Sequence, residues 1–118
     1  MANFFDQFDG AGEAPSSSLQ PKARDLAIRT IYGEAADEPD EGKAAVAAVI
    51  KNRVQSGRYG GKDVQGVVMA PNQFEPWNRN DARNRMMSLS PDSPDYQRIG
   101  QIVDGVFGGQ TPDPTNGA

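Results

Sequence analysis

The stretch Tyr32-Gly33-Glu34-Ala35-Ala36 sets one carboxylate among residues with almost no side chain. The chain contains no His and no Cys. Imidazole acid–base chemistry, Ser-His-Asp triads, thiolate nucleophiles, histidine zinc motifs and disulfide frameworks are therefore excluded. Any proton transfer falls most simply to Asp or Glu, with Tyr and Lys as distant seconds.

A glycosidic bond breaks when its bridging oxygen is protonated while the sugar carbon gains positive charge. A carboxyl group supplies that proton if it is still protonated at working pH, and desolvation favours the protonated form. Glu34, at the inner edge of a helix and flanked by Gly33, Ala35 and Ala36, suits this role. Its small neighbours leave room for a polymer and bring no cation. Arg29, roughly one turn upstream, opposes the effect. From the spacing alone two readings stand: a catalytic acid, or a solvated residue at a helix end. Glu38 is the next carboxylate. On a continuing helix it would share a face with Glu34 and help keep one of the pair protonated. Pro39 disfavours helical backbone at Glu38, which points to a loop. A supporting role for Glu38 and a solvated acidic turn are both open. The run Asp37-Glu38-Pro39-Asp40-Glu41 lacks the spacing and glycine of a calcium loop, so neither a metal nor a cofactor is expected.

The elements that must hold these groups read as helices. One starts near Pro21, a good first helical residue. It carries Leu26, Ile28, Ile31, Tyr32 and Ala35 at helical spacing, puts Arg24, Asp25 and Arg29 on the wet face, and ends around Glu34 to Ala36. A second is capped by Asp40 and stopped by Gly57. Val46, Val49, Ile50 and Val54 form its stripe, and its alanines allow a neighbouring helix to come close. Asp63 caps a short helix through Val64, Val67, Val68 and Met69, ended by Pro71. Residues 82–90 are ambiguous, with a turn of helix one reading. Ser93-Pro94 opens a helix with Ile99, Ile102, Val103, Val106 and Phe107 inward, stopped by Gly108-Gly109; residues 110–118 close the chain as a loop. Strand signals are weak, so the fold class is mainly α.

Between these elements Asn72, Gln73, Phe74, Trp77 and Asn78 cluster in a Pro-interrupted loop. Amides hydrogen-bond sugars, and aromatics stack on their C–H faces. Gln73, Phe74, Trp77 and Asn78, together with Tyr32, are the candidate substrate-binding residues. For Trp77 a core plug is an equal alternative, and Phe74 and Tyr32 lean toward packing. Arg58 and Tyr59 are candidates for the far edge of the groove.

With 118 residues the chain accommodates one small domain. Its 13 Gly and 9 Pro assign much of it to loops and ends. A net charge of −4 gives no case for nucleic acid or an acidic membrane surface. No apolar run approaches a membrane span, so no membrane insertion is expected.

Several motifs then fall in register. Tyr32-Gly33-Glu34-Ala35, Glu38-Pro39, Asn52-Arg53-Val54, Val67-Val68, Pro71, Gln73-Phe74, Trp77 and Asp113-Pro114-Thr115-Asn116-Gly117-Ala118 resemble the signature of the spore-cortex-lytic (SleB/CwlJ-like) cell wall hydrolase family, over roughly residues 24–118. The resemblance implies a small lysozyme-like, mostly helical domain with few or no strands. It implies cleavage of peptidoglycan between N-acetylmuramic acid and N-acetylglucosamine, as a muramidase or lytic transglycosylase. It places the catalytic acid on Glu34 and makes glycan strands the partner.

Residues 1–20, with Phe4, Phe5 and Phe8 before a small polar stretch, read as a flexible leader, and residues 21–118 as the hydrolase domain. Members of the family usually continue past the segment that ends here at Ala118, so a C-terminally incomplete domain is expected. The first ten residues lack the pattern of a secretory signal. Action in the periplasm or cell wall would then follow delivery by a phage particle, with virion proteins contacting the leader, or release at lysis. The alternative to an enzyme is a phage virion or assembly component that keeps the hydrolase fold for a structural or glycan-binding role.

Overall fold

The computed structural model describes residues 19–57, 63–70 and 74–111, and over these it is mainly helical with no strand. Pro21 opens α1 (Pro21–Ala35), because its missing N–H costs nothing in the first turn. α2 spans Asp40–Ser56, α3 Val64–Met69, α4 Asn80–Met87 and α5 Pro94–Phe107; a 3-10 turn covers Glu75–Asn78. Gly57, at φ 72°, ends α2 in the left-handed conformation and donates its N–H to Arg53 and Val54 carbonyls. Asp63 Oδ1 accepts from the Gly66 N–H at 2.7 Å, and Ser93 Oγ accepts from the Tyr96 N–H at 3.2 Å. The cap expected for α3 is thus in place, and Ser93 caps the helix that it was expected to open. At α2 the expectation is off by one residue: Pro39 occupies the cap position and Asp40 is the first helical residue. Freed from capping, the Asp40 carboxylate pairs with Arg98 of α5, which holds it below the usual carboxylate range.

α1 is the hub. It packs against α2, α3, α4, α5 and the 3-10 turn. Its Ala27, Ile28, Thr30 and Ile31 are fully buried. On α2 the buried face is Ala44, Ala47, Ala48 and Ile50, while Val46, Val49 and Val54 are only partly covered. The alanines, rather than the expected valine stripe, form the seam, which fits short side chains at a close helix–helix approach.

The largest departure from expectation concerns charge. Arg29 was placed on the wet face by its spacing, yet it is only 7 % exposed. Its Nε donates to both Asp25 oxygens at 3.1 and 3.0 Å, one turn back on α1. Its Nη1 donates to the carbonyls of Met86 and Leu89 at 2.8 Å each, and to that of Met87 at 3.3 Å. These are carbonyls at and just past the end of α4, where backbone donors run out; that of Met86 has otherwise only a long bond, at 3.4 Å, from the Leu89 N–H. Tyr96 of α5 lies under the guanidinium at 5.4 Å and donates its hydroxyl to Asp25 Oδ1 at 2.6 Å. Burial, then that bond to Asp25, push the Tyr96 phenol up to about 12. Arg24 also leaves the solvated face, with two hydrogen bonds to Asp104 of α5 at 2.8 and 3.1 Å.

A second contact fixes α4 against α1. A Cβ on Gly33 would overlap Met86 Sδ and stand 2.9 Å from Met86 Cγ and 3.1 Å from Pro76 Cβ. Only a glycine lets α4 and the 3-10 turn approach α1 this closely. Residues 82–87, in a stretch whose sequence is ambiguous, thus belong to a full two-turn helix, and 88–90 lie past its end. Its own sequence is polar; what stabilises it is tertiary: Ala82 and Met86 buried beneath it, and Arg29 at its carbonyl end.

Arg29→Met should lower stability by about 2–4 kcal/mol, because Asp25 and three carbonyls lose their donor while Asp25 keeps some access to water. Arg29→Lys should recover less than half of that, since one ammonium cannot reproduce the planar fork. Urea denaturation of the three chains measures both. Gly33→Ala should cost about 1–3 kcal/mol from overpacking, partly offset by the better helix propensity of Ala. In a double-mutant cycle with Met86→Ala the combined cost should fall below the sum of the single costs.

Candidate active site

Glu34 is the penultimate residue of α1, and its side chain is exposed. Its neighbours divide cleanly. Ala35 is buried at 3 % exposure, Gly33 faces Met86 and Pro76, and Ala36 is exposed. The sequence suggested that Gly33 leaves room for a polymer and that Glu34 sits at an inner edge. Instead, the space beside Gly33 is filled by protein, and the carboxyl projects outward from the helix end. Each residue along a helix turns about 100° from the last, so Glu34 shares its direction with neither Gly33 nor Ala35.

Two features describe the charged groups of α1 itself. No basic residue lies in the last turn of α1. Arg29, the cation expected to oppose protonation, directs its Nε to Asp25 and its Nη1 to the carbonyls at the end of α4. Asp25, the other carboxylate of α1, is likewise held, by Arg29 and by the Tyr96 hydroxyl.

Glu38 lies in the turn between α1 and α2, as Pro39 requires. Its N–H donates to the Ala35 carbonyl at 3.0 Å, its carbonyl accepts from Lys43 Nζ, and its side chain is exposed beside Gly42. Glu38 therefore does not continue the face of α1 that carries Glu34.

The aromatic candidates work from inside. Trp77 is 6 % exposed, and its Nε1 donates to Thr30 Oγ1 at 2.7 Å; that hydroxyl in turn donates to the Leu26 carbonyl at 2.7 Å. Phe74 is 5 % exposed, with the Arg53 guanidinium 5.5 Å from its ring centre. Neither ring presents a face to solvent, so of the two readings of Trp77 the structure matches the core plug. Tyr32 is half-buried and packs at the edge of the core. Asn78 is exposed at the end of the 3-10 turn. Through Trp77 on Thr30 and Pro76 on Gly33, that turn is fastened along the last two turns of α1. Asn78 is the last residue of that turn. Gln73, with Asn72, and Arg58 and Tyr59 lie outside the described residues, as do the leader through Ser18 and the segment 112–118.

The sequence reading missed Thr30, Asp25, Arg29, Met86 and Tyr96 as the parts that orient this end of α1. One signal was available: Asp25 and Arg29 are four apart, the spacing of a helical ion pair. Among the described residues no group of three or more acidic side chains is arranged to hold a metal ion. No helix among them is long and apolar enough to cross a membrane.

Comparison with known proteins adds the family. The model of a family described as Cell Wall Hydrolase matches residues 37–118, beginning just past Glu34. A spore cortex-lytic enzyme of Oceanobacillus iheyensis is 47 % identical over 49 residues, which are 42 % of this chain and 17 % of that protein. The chain thus corresponds to a small part of that relative's length. No solved structure matches the chain. With the family match covering most of its length, this chain belongs to the cell wall hydrolase family.

Proposed function

We propose that this chain cleaves the glycan strand of bacterial peptidoglycan between N-acetylmuramic acid and N-acetylglucosamine, as a lytic transglycosylase with Glu34 as its one essential carboxylate. The observation that carries the reading is the placement of Glu34. It is an exposed carboxyl in the last turn of the hub helix, in a member of the cell wall hydrolase family. The name of the relative from Oceanobacillus iheyensis, a spore cortex-lytic enzyme, supports the same class of substrate.

The chemistry asks for a group that first gives and then takes a proton. The carbonyl end of a helix is the negative end of its dipole, which favours the uncharged carboxyl. A glycan strand laid over the exposed side chain removes water from it and acts in the same direction. Glu34 then protonates the bridging oxygen as the bond to the muramyl carbon breaks. The resulting carboxylate accepts the proton of the substrate's own C6 hydroxyl, whose oxygen closes a 1,6-anhydro ring on that carbon. The proton balance is zero over the cycle and no activated water is needed. This separates the scheme from two-carboxylate glycosidases, which need a second group as base or nucleophile. Glu38, in its turn beside Gly42, is left with at most an electrostatic part.

Glu34→Gln should keep the melting temperature and lose clearing of peptidoglycan in a zymogram by at least about 100-fold, the usual share of a general acid. Glu38→Gln should retain most of the clearing. Mass spectrometry of the products should find anhydro-muramyl ends; reducing ends would make the chain a hydrolase instead. A Glu34→Gln chain that clears like its parent would overturn the assignment altogether.

A further inference from the structure

The chain is acidic, at −4, but one surface segment is not. Residues 79–87, the start and body of α4, hold Arg79, Arg83 and Arg85 against the single carboxylate of Asp81. All four side chains are exposed. Arg79 and Asp81 lie 3.5 Å apart, and the Asp81 carboxyl is held low first by the Ala82 N–H and then by Arg79. Arg83 donates to the Asn80 side-chain oxygen at 3.2 Å, a neutral partner. Among the described residues no carboxylate is within ion-pair distance of Arg83 or Arg85. The other arginines involved in ion pairs, Arg24, Arg29 and Arg98, each have an aspartate.

Placement makes this uneven charge relevant to the site. Met86, which presses on Gly33 next to Glu34, follows Arg85 directly and lies three residues past Arg83. Both arginines are therefore within one turn, about 5.4 Å along the helix, of the contact that joins α4 to the end of α1. Ala82 and Met86 face inward, so the residues beside them project to solvent. Nothing in the fold uses Arg83 or Arg85 for packing.

Peptidoglycan carries its negative charge on its peptide stems, not on its sugar rings. We infer that Arg83 and Arg85 on α4 bind the carboxylates of stem peptides and so make the chain prefer glycan that still bears its stems. This rests on the reading of peptidoglycan as the substrate. A guanidinium suits the ligand because its fork matches a carboxylate bidentately. Two exposed pairs of this kind give a modest, salt-sensitive preference rather than tight binding.

The test is equilibrium binding with the Glu34→Gln chain, so that substrate is not consumed. Two soluble glycans are compared: strands with stems, from sacculi cut by an endopeptidase, and strands stripped of stems by an amidase, with the lactyl carboxylates that this frees then capped as amides. At low salt the stem-bearing strand should bind about five- to tenfold tighter, and the ratio should shrink at high salt. Adding Arg83→Gln and Arg85→Gln should bring the ratio near one, whereas Asp81→Asn should raise it. Circular dichroism checks that each variant is folded. Equal binding of both strands by the Glu34→Gln parent, or an unchanged ratio in the arginine variant, overturns the inference and leaves the glycan reading standing. Binding to neither strand overturns both.

Discussion

Arg29 is the point on which the arrangement turns. A cation 7 % exposed is costly to bury unless it is paired and hydrogen-bonded. Here the acceptors come from three places: a carboxylate on its own helix, the open carbonyls after α4, and the π-face of Tyr96 on α5. Each partner solves a problem of its own through the same contact. The carbonyl end of α4 gains a positive charge at its negative pole, Asp25 is neutralised, and Tyr96 can be buried with its hydroxyl satisfied. Lys51 of α2 repeats the device at smaller scale, donating to the Val106 carbonyl at 3.1 Å near the end of α5.

From this constraint follows the geometry around Glu34. α4 is short and polar and has little reason to be helical alone. Held at its carbonyl end by Arg29 and pressed onto Gly33 through Met86, it becomes a rigid wall beside the last turn of α1. The 3-10 turn completes that wall with Pro76 on Gly33 and Trp77 on Thr30. Glu34 is thereby set as an exposed residue in the same turn as Gly33 and Ala35, which pack against the rest of the protein.

Much of this was legible in the sequence, for identifiable reasons. Pro21, Gly57, Asp63 and Ser93 are punctuation that acts locally, so the helices they bound lie where they were expected. The apolar spacing of Ile99, Val103 and Val106 is a face a reader can count. What was hidden depends on partners distant in the chain. Arg29 looks solvated until Met86 and Leu89 are brought beneath it, and α4 has no pattern until Gly33 provides a seat for Met86. Gly33 itself was read as an opening for substrate because sequence shows that a side chain is missing but not what takes its place. The exposure of Glu34 has the same origin. Its chemistry was readable from its type and neighbours, but its exposure depends on where α1 ends against the rest of the fold.

The hydrogen bond between Trp77 and Thr30 has a practical consequence. The chain contains one Trp, so its indole emission comes from a single place. That place joins the 3-10 turn to the hub helix, near the end that carries Glu34. The fluorophore is shielded from water and its ring nitrogen is engaged. Loosening of that junction would therefore register as a red shift and quenching, giving an optical readout of local order in the unlabelled protein.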